Sequence, residues 1–291
     1  MATGLTRELR AVWILLAADA AAVFVTYARL PAGALYHVSG SGLRAGLGRA
    51  VVELNFPDAL VALAVLGVLA PRLGGRERLA AAAAALLCLV VVVPEVVSQT
   101  NLDAKWVNAV PAAGVALTFA LTLRAGRIEV ARTVRLIVVA PLILLAAPWI
   151  AALLGFYLDG VPLLDRLFQT GRLVTFHNVP HHAVHHGVHH GLQGLLLLVC
   201  ALLLVRLPNR VAPFLALMVA YGLGNMANDA WLEQVAERGW TSWTIPSCLE
   251  PAVNWTWLAV LAGAAALWWF WLRQPSRTTP AAASSAISSS P

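Results

Sequence analysis

Runs of about twenty residues with almost no charge recur along this chain, and nothing else in the sequence constrains its fold so strongly. They lie near residues 11–29, 52–71, 79–98, 109–124, 134–157, 188–205, 211–230 and 252–272. A helix rises 1.5 Å per residue, so about 20 residues cross the roughly 30 Å of a bilayer's hydrocarbon core. Inside that core every backbone N–H and C=O must find a partner within the protein, which a helix provides. The runs therefore predict an all-α fold, a polytopic membrane helix bundle of about eight transmembrane helices. A chain that is 60% apolar and 12% charged has little left for a soluble domain. Residues 1–272 are expected to form a single transmembrane helical domain. Residues 273–291, rich in Pro, Ser, Thr and Ala, are expected to be a disordered cytoplasmic tail. The first run reads as a helix and not a signal peptide, because Asp19 interrupts it and no small-residue cleavage site follows.

Basic residues set the orientation. Alternate segments place 13 arginines on one side, at Arg7, Arg10, Arg72, Arg76, Arg78, Arg124, Arg127, Arg132, Arg135, Arg206, Arg210, Arg273 and Arg277. Seven basic residues, Arg29, Arg44, Arg49, Lys105, Arg166, Arg172 and Arg238, fall on the other. The positive-inside rule then predicts both termini cytoplasmic, in a cell membrane. The net charge of +6 belongs to these short loops, and no nucleic-acid partner is assigned. Three cysteines, Cys88, Cys200 and Cys248, form no disulfide framework and no thiolate metal pattern.

In this frame the acidic residues divide unevenly. Glu8, Glu77 and Glu129 are cytoplasmic, Asp19 is intramembrane, and the remaining ten lie in or beside outer segments. A carboxylate near the middle of a bilayer is costly, so Asp19 needs a partner, a wet cavity or a proton.

Seven of the eight histidines fall within fourteen residues, from His177 to His190, immediately before the sixth run. Asn178 as an N-cap and Pro180 in a first turn predict a helix from about 179 to Arg206. On such a helix His181, His182, His185, His186, His189 and His190 occupy about half the circumference at its outer end. Imidazoles four residues apart can reach one ion, which makes these six candidate metal ligands for a transition metal ion such as iron, zinc or copper.

The short turn at 206–211 makes runs six and seven an antiparallel hairpin centred near 208. Asn225, Asp229, Glu233 and Glu237 recur every four residues on the returning helix, up to Gly239, a natural terminator. Counted from the turn, Asp229 is level with about residue 187, so carboxylates and histidines share a depth. Asp229, Glu233 and Glu95 are the candidate catalytic carboxylates. The spacing His182-Ala183-Val184-His185-His186, repeated at 186–190, resembles the histidine boxes of membrane fatty-acid desaturases and hydroxylases. Those enzymes use three separated boxes facing the cytoplasm; one tandem block on an outer face does not place this chain among them.

Three function classes follow. The first is a metal-dependent membrane enzyme, an oxidoreductase or hydrolase acting on a lipid, isoprenoid or other apolar substrate at a His/carboxylate site on the non-cytoplasmic face. The second is a metal-ion transport, storage or sensing protein, with Asp19 marking a path through the bundle. The third is a metal-free acid-base enzyme such as a terpene cyclase, in which carboxylates do the chemistry. The bilayer is the partner common to all three.

Overall fold

The computed structural model describes residues 5–29, 39–93, 96, 103–147, 149–150, 173–176, 179–182, 191–208, 210–236, 239–248 and 252–272. Among them helices dominate. α1 spans Arg7–Arg29, α2 Gly42–Glu53, α3 Asp58–Leu69, α4 Gly75–Leu89, α5 Ala109–Ala125 and α6 Val139–Leu145. A two-stranded antiparallel ribbon follows, β1 Leu173–Phe176 with β2 Val179–His182, and then α7 Gly191–Leu204, α8 Ala212–Trp231 and α9 Trp255–Leu267.

Four helical stretches among the described residues are long and apolar enough to cross a membrane: Arg7–Arg29, Gly42–Arg72, Trp106–Ala125 and Trp255–Leu272. Gly191–Leu204 is a shorter apolar helix. Leu79, Leu86, Leu258 and Leu261 all point outward and exposed, which suits a lipid solvent better than water. Small residues let the backbones approach. A Cβ on Gly46 of α2 would lie 2.6 Å from the Phe24 carbonyl of α1, and one on Gly194 of α7 would lie 2.6 Å from the Gly222 carbonyl of α8. Gly194 opposite Gly222 places the α7–α8 hairpin about a centre at 208, where the short turn requires it.

Three local expectations are corrected. The apolar run at 52–71 is the lower part of a longer descending unit that starts at Gly42 and breaks at 54–57, between α2 and α3. Pro57, which has no N–H to give, stands at the break.

The predicted helix from 179 to 206 does not form at its start. Val179–His182 is a strand paired with Leu173–Phe176, in the register Phe176↔Val179 to Leu173↔His182. Pro180 drives Val179 toward extended backbone, and Val174, Thr175 and Phe176 favour a strand opposite it. In a two-stranded ribbon each strand has an open edge, so the missing N–H of Pro180 is tolerated. His181 and His182 therefore stand in successive strand positions, and the pairs 181/185 and 182/186 do not share one helix. His185, His186, His189 and His190 lie outside the described residues.

The third correction concerns the stripe at 225–237. α8 ends at Trp231 and continues as a π turn, Leu232–Ala236, so a four-residue repeat no longer specifies one face beyond Asp229. The side chain of Glu233, and residues Glu237 and Glu95, lie outside the described residues. The terminator at Gly239 has φ 73°, with its N–H donated to the Ala236 carbonyl at 2.9 Å.

Candidate functional site

The break between α2 and α3 gathers the polar groups of the membrane domain. α2 lies along the second half of α1, and α3 continues toward the end where α1 begins. That end is marked by Glu8 of α1 and Arg206 just after α7, 3.5 Å apart. Eleven residues up α1 from Glu8 is Asp19, and thirteen residues up from Arg206 is Gln193. At 1.5 Å per residue both stand roughly 16–20 Å from that end.

Glu53, the last residue of α2, is the hub. Its Oε2 is 3.1 Å from Arg49 Nη2 one turn earlier, and both side chains are buried. Its Oε1 accepts a hydrogen bond of 2.9 Å from Gln193 Nε2 at the top of α7. The same Nε2 lies 3.4 Å from the Phe56 carbonyl, which the break exposes. The Arg49 guanidinium lies over the Tyr27 ring, 5.6 Å from its centroid. Asp19 of α1 is close enough to interact electrostatically with Glu53, and its Oδ2 is buried with no hydrogen-bond partner among the described residues. Asp58 opens α3, where the helix dipole favours an acid. It is fully buried, and neither of its carboxyl oxygens has a hydrogen-bond partner among the described residues.

A helix interrupted inside a membrane must satisfy the backbone groups it frees. Asn55 does part of this, donating from Nδ2 to the Val51 carbonyl at 2.7 Å and to the Asn108 carbonyl at 2.9 Å. Asn108 returns a bond from its own Nδ2 to Asn55 Oδ1 at 2.8 Å and reaches the Val96 carbonyl at 2.8 Å. The break is therefore a built feature, clamped by a reciprocal pair of asparagines.

A second polar group lies across α7 at the same level. Asn225 of α8 packs beside Gly194, and its Oδ1 accepts from the Cys248 thiol at 2.9 Å. One turn on, Asp229 is fully buried. Asn228 holds the carbonyls of Ile245 and Pro246 at 3.2 and 3.4 Å, pinning the segment before α9 over the end of α8. Burial pushes the Cys248 thiol up to about 11, so it behaves as a neutral donor.

Chemically, Asp19 and Glu53 bring two carboxyl groups to the Arg49 guanidinium, and Asp58 adds a third buried carboxyl group at the start of α3. Among the described residues no three His, Cys, Asp or Glu side chains are arranged to hold one metal ion.

Of the sequence candidates, the structure places Asp229 beside the α7–α8 contact and puts Asp19 into the cluster. Reading the sequence missed Arg49, Glu53, Asp58 and Gln193 as one site. One signal was present: an Arg and a Glu four residues apart inside a glycine-rich apolar stretch, followed by Asn-Phe-Pro-Asp. No protein-family model, curated protein or solved structure matches this chain.

Proposed function

We propose that this protein is a multi-pass membrane enzyme that acts on a lipid, isoprenoid or other apolar substrate by acid-base chemistry at the Asp19–Glu53–Asp58 cluster. In this reading its eight apolar runs all cross the bilayer, both termini are cytoplasmic, and the site opens to the non-cytoplasmic side. The observation that carries it is the one-sided character of the cluster. Toward the Glu8–Arg206 end, α1, α3 and α7 bury Leu9, Val12, Leu16, Val61, Val65, Leu69, Leu197 and Leu204. An ion path would need polar groups through that layer, so a transport role is the weaker reading. A carboxyl group in such apolar surroundings is suited to give a proton to an alkene carbon, and its neighbour to take one back. Arg49 and Gln193 would hold Glu53 in place, leaving Asp58, whose oxygens lack hydrogen-bond partners among the described residues, as the group to meet substrate. The basic-residue count supports the orientation, because Arg49 is buried in the bundle and leaves the smaller group.

A second reading, a metal-dependent enzyme, rests on one adjacency: the histidine run ends at His190, and α7 begins at Gly191, two residues before Gln193. Those histidines would bring iron, zinc or copper to the same pocket and polarise a substrate oxygen there.

Cells producing the wild-type chain and cells producing Asp58→Asn should be compared by untargeted mass spectrometry of their lipid extracts. The acid-base reading predicts an apolar product that only the wild type makes. Identical extracts, or a product retained in Asp58→Asn, would refute it.

A further inference from the structure

At the opposite end of the bundle lies a cavity of about 880 Å³, walled by the first turn of α1, the segment after α5 and the end of α7. Its charged lining is Arg7, Arg127 and Arg206 against Glu8 and Glu129. Ala11, Ile128, Leu136 and Leu203 supply an apolar side. The walls are held in place. The Arg206 carbonyl accepts from the N–H groups of Ala131 at 2.8 Å and Arg132 at 3.0 Å, and Arg72 Nη1 donates to the Arg127 carbonyl at 3.0 Å. Glu8 is already engaged by Arg206, whose Nε is shielded from solvent with no hydrogen-bond partner among the described residues. Arg7 and Arg127 are exposed.

From this arrangement we infer that the cavity binds the phosphate of a glycerophospholipid headgroup, with the guanidinium groups of Arg7, Arg127 and Arg206 on the phosphodiester and an acyl chain along the apolar side. Planar guanidinium donors match phosphate oxygens, and a cavity that is half apolar at a membrane surface suits a lipid better than a free anion. The lipid would tie α1, the α5–α6 segment and α7 together, adding to the Glu8–Arg206 pair and the bonds to the Arg206 and Arg127 carbonyls. This assignment is independent of the chemistry proposed for the carboxyl cluster.

The test uses delipidated full-length protein in a neutral detergent, titrated with short-chain phosphatidylglycerol and, separately, with inorganic phosphate, binding being read by native mass spectrometry. Saturable lipid binding that weakens about tenfold in Arg127→Gln and is unchanged in Arg10→Gln is expected. Arg10 is exposed on α1 and does not line the cavity, and the bond that Arg127 makes to Arg72 uses its carbonyl, which Arg127→Gln retains. Absence of saturable lipid binding, equal loss in both variants, or inorganic phosphate binding as tightly as the lipid would each overturn the inference.

Discussion

Removing the Arg49 guanidinium is the sharpest perturbation of the buried cluster. Arg49 and Glu53 are 3.1 Å apart with side chains only 3% and 2% exposed. At an effective dielectric of about 20, their attraction is about 5 kcal/mol, most of it repaying the cost of taking both charges out of water. Arg49→Met deletes the attraction and leaves the Glu53 carboxyl buried, for an expected loss of about 3–5 kcal/mol. The double variant Arg49→Met/Glu53→Gln removes both charges and retains a side chain that Gln193 can still bond, so it should recover most of that loss. Reversible unfolding in mixed detergent micelles, followed by circular dichroism, measures all three proteins. A single variant within about 1 kcal/mol of wild type, or a double variant worse than the single, would show that the pair is not a coupled buried unit and would undo the reasoning.

Cys248 should resist alkylation at pH 8. A thiol pushed up to about 11 by burial is about one part in a thousand thiolate there, and reactivity should rise only as pH approaches that value or on unfolding. Comparison of iodoacetamide labelling rates in native and denatured protein checks this; equal rates would contradict it. Gly194→Leu should cost about 1–3 kcal/mol or more, because even its Cβ meets the Gly222 carbonyl at 2.6 Å, and the same unfolding assay reads the loss. If the metal-dependent reading is right, purified protein carries a stoichiometric transition metal that falls on replacing His185 and His186 by Ala; elemental analysis decides, and metal-free active protein would dismiss that reading.

Helical character was legible in the apolar runs, although among the described residues four stretches and not eight are long and apolar enough to cross a membrane, and the α7–α8 register was legible because a short turn leaves only one way to align its helices. The ribbon was not. A periodic histidine pattern suggested a helix through Pro180, while the local preference of Val179 before a proline, with Val174, Thr175 and Phe176 on the strand opposite, favours a strand. The π turn after Trp231 was hidden for a similar reason, since a four-residue repeat assumes the winding it is used to infer. The carboxyl cluster was half visible. Asp19 announced itself by its setting, but Arg49 read as one of the outer basic residues, and Glu53 and Asp58 as acids around Pro57 at the outer start of the second run. Only the packing of α2 against α1, through Gly46, brings them to the depth of Asp19.

The central claim is that buried carboxyl groups move a proton on an apolar molecule in the membrane. Membranes containing the wild-type chain, incubated in deuterium oxide and analysed by mass spectrometry of their extracted lipids, test it directly. The account predicts carbon-bound deuterium in an apolar lipid with the wild type and none above background with Asp58→Asn. Equal labelling in the two, or none in either, would contradict it.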